Sequence, residues 1–157
     1  MGLIRIQPSR KPGRHIEIRQ MTPTASVTLA IGEPVQRNSS DPELIEAFAG
    51  GATVTGLVGF AMAPVTAGTP GFGTTIPVAI ANVDTEFLAQ VWDVSGGAVA
   101  TAAVGTHEGN DFGLVEPTAG YWYVDEEDTT NVHVFVTKVI TEINAVLFKV
   151  ISTVLAN

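Results

Sequence analysis

From residue 25 onward the apolar positions fall in short runs, with no long stripe of helical period. Runs at residues 26–31, 53–62, 76–81, 86–94, 112–115, 121–124, 132–138 and 145–154 are rich in Val, Ile, Thr and aromatic residues, which suit a pleated, half-buried surface. Between them stand Gly32-Glu33-Pro34, Gly68-Thr69-Pro70-Gly71, Ser95-Gly96-Gly97, Gly109-Asn110-Asp111 and Ala119-Gly120. These supply the positive or fixed φ that tight turns need. Many short strands with frequent turns predict an all-β fold, a small barrel or a sandwich.

One helix is expected inside this pattern. Ser40-Asp41-Pro42-Glu43 offers an N-cap, a proline at the first helical position and acids in the first turn. Leu44, Ile45 and Phe48 then form an apolar stripe that Gly50-Gly51 ends. Near the C-terminus Val139, Ile143, Val146, Val150 and Val154 fit a helical period, but β-branched residues dominate and Asn144-Ala145 reads as a turn between two strands. Strand is the expectation there. The uncharged run at 96–105 reads equally as a flat edge strand or as a loop.

Residues 1–24 differ from the rest. Pro8, Pro12 and Pro23 deny a helix and a central strand. Two extended pieces remain, 3–7 and 15–20, each alternating isoleucine with charged or polar groups. The segment therefore reads as an extended N-terminal arm ahead of a β-barrel body at 25–157. Fully extended, 24 residues reach about 80 Å, enough to touch a neighbouring molecule.

Charge sharpens that division. The chain of 157 residues has a formal net charge of −8, yet residues 1–37 carry six basic against two acidic side chains, a net +4, and the remainder a net −12. An acidic body repels nucleic acid, so no nucleic-acid partner is expected. Only 15% of residues are charged, against about 25% in an average domain; burial in a larger assembly is one way such a surface is kept in solution. With no cysteine, a disulfide framework, a thiol nucleophile and a thiolate metal site are excluded. The longest apolar stretch, 57–65, is short of the ~20 residues of a spanning helix and contains Pro64, so no membrane partner is expected.

Candidate chemistry is sparse. His15, His107 and His133 lack the spacing of zinc ligands, and His107-Glu108 with Asn110-Asp111 reads as a solvated turn. No nucleophile elbow, phosphate-binding glycine–lysine loop or dinucleotide fingerprint occurs. Trp92, Trp122, Phe87 and Phe135 fall at strand positions and are expected in the core. The densest charge cluster, Asp125, Glu126, Glu127 and Asp128, reads as an exposed hairpin loop, or as an acidic docking loop for a basic arm. No catalytic residue, metal or cofactor is expected.

The stretch Glu46-Ala47-Phe48-Ala49-Gly50-Gly51-Ala52-Thr53-Val54-Thr55-Gly56-Leu57-Val58-Gly59-Phe60-Ala61, then Ile76-Pro77-Val78-Ala79-Ile80-Ala81 and Thr85-Glu86-Phe87-Leu88-Ala89-Gln90-Val91, resembles tailed-bacteriophage head decoration (cement) proteins. Gly109-Asn110-Asp111-Phe112-Gly113-Leu114, Gly120-Tyr121-Trp122-Tyr123-Val124-Asp125, residues 132–137 and Val146-Leu147-Phe148-Lys149-Val150 extend the resemblance over about residues 46–155. It implies a small β-barrel, β-tulip-like or sandwich-like, on the outer surface of a phage head, made in the host cytoplasm and often trimeric. The expected partners are the major capsid protein and a homotrimer of the chain itself. The function so implied is capsid stabilisation by a non-enzymatic virion protein. The arm residues expected to grip the capsid or a neighbouring subunit are Ile4, Arg5, Ile6, Arg10, Lys11, Arg14, Ile16, Ile18 and Arg19. An alternative class is a virion-surface β-sandwich that binds host carbohydrate or receptor through Tyr121, Trp122 and Tyr123. A hydrolase using Glu108 and Asp111 is a third, without an orienting partner to name.

Overall fold

The first strand, β1 (Gln7–Pro8), belongs to a large sheet, and the next five close a barrel. These are β2 (Ile18–Pro23), β3 (Pro34–Arg37), β4 (Leu44–Ala47), β5 (Leu57–Ala61) and β6 (Ile76–Ile80), in the order β2-β4-β3-β5-β6. The computed structural model describes residues 2–9, 15–50, 56–66 and 75–156. Leu29, Val35, Ile45, Val58, Val65, Ile76 and Val78 fill the barrel. Its wall is tight at Gly59, where a Cβ would overlap the Ala79 carbonyl oxygen on β6. Only glycine allows that backbone approach.

The remaining strands are β7 (Phe87–Ala89), β8 (Val91–Asp93), β9 (Ala98–Val99), β10 (Asp111–Thr118), β11 (Tyr121–Asp125), β12 (Val134–Ile140) and β13 (Ala145–Val150). With β1 they form a sheet ordered β1-β7-β13-β12-β10-β11-β8-β9. β7 and β8 are successive halves of one run broken only at Gln90; the first pairs antiparallel with β13, the second parallel with β11. The strands between them therefore curl round and return to the same segment. Phe87, Ala89 and Val91 alternate onto the enclosed side and are fully buried there.

This second core reaches the barrel. Phe60 of β5 lies 4.5 Å from Phe87 and 5.8 Å from Phe148, centroid to centroid. Residues 151–156 then return to the barrel, where the Leu57 and Gly56 N–H groups donate to the Val154 carbonyl and the Ala156 N–H donates to the Leu57 carbonyl. Leu57, Phe60 and Ala79 of the barrel wall thus join the core of the curled sheet, beside the separate cluster that fills the barrel.

The all-β class and the small barrel stand. The short helix does not lie where the N-cap pattern placed it: residues 44–47 are β4, paired antiparallel with β3. Asn38 Oδ1 accepts the Ser40 and Asp41 N–H groups and Asp41 Oδ1 accepts that of Glu43, so side-chain turns occupy the donors that would start a helix. The helix of the described residues is instead α1 (Val104–His107), one turn long. Run 26–31 yields only an isolated bridge, Leu29 to Val65. The C-terminal reading holds: β12 and β13 are joined by a 3-10 turn and by Asn144 at φ 51°. Run 96–105 divides between β9 at the sheet edge, a loop and the start of α1.

Residues 2–9 and 15–24 are built into the body rather than standing ahead of it as an extended arm. β1 pairs with β7, and β2 closes the barrel between β4 and β6. Ile6 is 1% exposed, inside the core of the curled sheet. Of the alternating isoleucines only Ile18 lies in a strand, β2, and its partners are in this same chain; Ile4, Ile6 and Ile16 precede the strands.

Candidate functional site

Three of the residues expected to grip a partner, Ile4, Arg5 and Ile6, lie at a junction of three segments: residues 4–6, the turn at 30–33, and the β10–β11 hairpin tip. Hairpin and turn come together because Gly120, at φ 78°, has no side chain, and a Cβ there would lie 2.9 Å from Ala30 Cβ. Gly32, at φ 83°, leaves room for the Ile6 backbone, whose oxygen would lie 2.7 Å from an added Cβ. Arg5 fills the space between: its Nη1 donates to the Gly120 carbonyl at 2.6 Å and to that of Ile31 at 3.1 Å. Its guanidinium carbon sits 4.2 Å from the Tyr121 ring centroid, a cation–π contact. The Ile4 N–H donates to Gln90 Oε1 at 2.9 Å, at the break between β7 and β8.

Beneath the junction Glu33 accepts the Ala30 N–H at 2.7 Å. Burial pushes its carboxyl above the usual range, the Ala30 bond opposes this, and Glu116 of the hairpin adds to the rise. Tyr123, on the Tyr121 face of β11, packs on Trp92 at 5.0 Å between centroids. Burial raises its hydroxyl; Tyr121 adds to the shift and Arg5 opposes it.

The other arm residues separate. Ile16 is half-buried against the core of the curled sheet. Ile18 is 53% exposed on β2, and Arg19 beside it pairs with Glu17. Arg10, Lys11 and Arg14 lie outside the described residues.

The acidic loop is fastened to its own chain. Asp125 Oδ1 accepts the Glu127 N–H at 3.0 Å, and Asp128 Oδ1 accepts those of Thr130 at 3.1 Å and Asn131 at 2.8 Å. Glu127 Oε2 accepts the Ser95 N–H at 3.1 Å. Burial raises the Asp125 carboxyl, opposed by backbone bonds from Glu127 and Asp128. At Asp128 burial also pushes upward, but the bonds from Asn131 and Thr130 outweigh it and hold the carboxyl below its usual range. Among the described residues no arm cation reaches these four side chains.

Glu126 leads to a residue the sequence did not place. His107, read as part of a solvated turn, is 1% exposed. Its Nδ1 lies 2.9 Å from the Ala103 nitrogen and 3.2 Å from the Ala103 carbonyl oxygen, and its Nε2 lies 2.8 Å from Glu126 Oε2. His133 is buried as well and accepts the Leu114 N–H through Nδ1 at 3.1 Å. Glu108 accepts the Val139 N–H at 3.0 Å, and Asp111 is exposed at the start of β10. His107 closes α1, a single helical turn too short to leave a pattern in the sequence.

The aromatic triplet does not form an exposed platform. Trp122 turns into the core against Phe48, Tyr123 is buried, and Arg5 covers Tyr121. Phe87 and Trp122 are in the core as expected, whereas Trp92 is half-buried and Phe135 is 40% exposed on the outer face of β12. A cleft of about 560 Å³ opens beside Asn82, Asp84 and Glu86, and a smaller apolar groove of about 260 Å³ lies between β1 and Ile143. Among the described residues no group of three or more His, Asp or Glu is placed to hold a metal ion, and no helix is long and apolar enough to cross a membrane. A scan of protein-family models finds none that matches the chain, and a search of curated proteins finds no match either.

Proposed function

We propose that this chain is a capsid decoration protein: a non-enzymatic cement that sits on the outer surface of a tailed-phage head and bridges capsid subunits, as a homotrimer. The observation that carries the reading is the all-β body with its closed five-stranded barrel, the kind of body the resemblance over residues 46–155 implies. The use of polar side chains supports it. Arg5, Gln90, His107, Glu126, Asp128 and Asn144 hold the chain to itself, which gives a rigid block suited to transmitting load. A block that contacts several subunits at once adds binding free energy only in the assembled geometry, and so resists expansion of the shell.

The arm's role changes with the structure. Ile6 and Arg5 are spent inside the molecule, so contacts to the shell fall to exposed groups such as Ile18 and Arg19 on β2. Electron cryomicroscopy of the particle that contains this chain tests the proposal. The expected result is density for the body outside the shell, repeated at three-fold or quasi-three-fold positions. Density confined to the lumen or the tail overturns it.

A further inference from the structure

We propose that residues 2–9 form an exchangeable strap: in the assembled protein this segment of one copy occupies the seat on a second copy. The seat is thus a docking site for an extended peptide of this same sequence. The inference rests on the self-association proposed above and deepens it.

Every contact that seats the strap is made with residues distant in sequence. The Ile4 N–H meets Gln90, Arg5 meets Gly120 and Ile31, residues 7 and 8 pair with 88 and 87, and the Ser9 N–H donates to the Glu86 carbonyl at 2.8 Å. None of these contacts depends on which copy supplies the strap. Among the described residues β1 forms no hairpin with β2: its one strand partner there is β7, while β2 pairs with β4 and β6. Lifting the strap therefore leaves the barrel closed and the other seven strands of the sheet joined.

The chain between Ser9 and His15 is Arg10-Lys11-Pro12-Gly13-Arg14. Six peptide steps, fully extended, span up to about 20 Å, which is the reach that a chain of this length gives the strap. Three of the chain's eight Lys and Arg side chains lie in this linker, while the body beyond residue 37 carries −12, so linker and neighbouring body attract each other. Exchange preserves every seated contact and adds a tether between copies, which is why swapping an identical element is a low-cost route to an oligomer.

The absence of cysteine makes the test clean. Gln7 and Leu88 are direct cross-strand partners, one exposed and one half-buried, so a thiol at either position leaves the core intact. Variants Q7C and L88C are refolded together, oxidised mildly and run on a non-reducing gel, with native mass measured in parallel. The expected result is a disulfide pair joining one chain of each kind, at several times the yield of like pairs from either variant alone. If the mixture shows only that background while the native mass is oligomeric, exchange is overturned and self-association stands. If the mass is monomeric and the doubly substituted chain closes only on itself, both are overturned.

Discussion

Asn144 shows how one side chain can fix a connection. At φ 51° it occupies the left-handed region, and its amide also accepts from the Ala102 N–H at 2.8 Å and donates to the Ala100 carbonyl at 3.0 Å. Glycine would suit the backbone but lose both bonds; alanine would lose both and strain the turn. Asn144→Gly is expected to cost about 1–2 kcal/mol and Asn144→Ala more, read as the order of their midpoints in urea. Two carboxylates give opposite pH signatures. Glu33 has a raised carboxyl because burial penalises its charge, so the penalty is absent below its ordinary value of 4.5 and complete once pH has risen past the folded value. Glu33→Gln keeps an acceptor for Ala30 and is expected to raise the melting temperature at pH 7 but not at pH 4. Asp128 is held low, so its contribution is present above 3.8 and is lost as pH falls through the lower folded value. Asp128→Ala is expected to cost about 1–2 kcal/mol at pH 7 and progressively less as pH falls below 3.8, measured by thermal melts across that range.

Among elements, most strands from residue 76 onward were legible because they carry their own pattern and turn, whereas β7 and β8 share one run and β9 falls in the run read equally as strand or loop. β6, β10, β11, β12 and β13 lie within a few residues of the runs that announced them. β4 was not legible, since Leu44, Ile45 and Phe48 satisfy a helical stripe as well as a strand. Pairing with β3 and the Gln36–Glu46 and Asn38–Glu46 side-chain bonds decide for strand. α1 is one turn long and has no sequence signature. The extended pieces read at 3–7 and 15–20 meet the strands β1 and β2 only in part, at Gln7 and at 18–20, and a two-residue period does not say whether the partner edge lies in the same chain or another. That distinction has a measurable consequence. Removing residues 1–24 deletes β2 and opens the barrel, so the truncated chain is expected to lose its cooperative melt. Ile6→Ala is expected to cost about 2–4 kcal/mol through the cavity it leaves; a cost under half a kcal/mol would mean that Ile6 is not seated in the core.

At the scale of the whole molecule, the barrel wall packs on the curled sheet through Phe60, Phe87 and Phe148. A second tie runs through the junction of Arg5, Ala30 and Gly120. A body braced at both places deforms little under load, and this links the fold to the proposed work of clamping a shell. The strap lies at the same junction, so the segment that braces one copy is also the one placed to join two.

The sequence by itself determined the all-β class, most of the later strands, the turn at Asn144, and a division between a basic start and an acidic remainder. These follow from local period, turn chemistry and a count of charges, none of which needs a distant partner. Only the tertiary structure decided that the N-terminal strands are built into the body, that His107 and His133 are buried, and that the acidic loop fastens itself. Those outcomes depend on which surfaces meet across long stretches of chain. Burial and pairing there are set by neighbours that no local window contains.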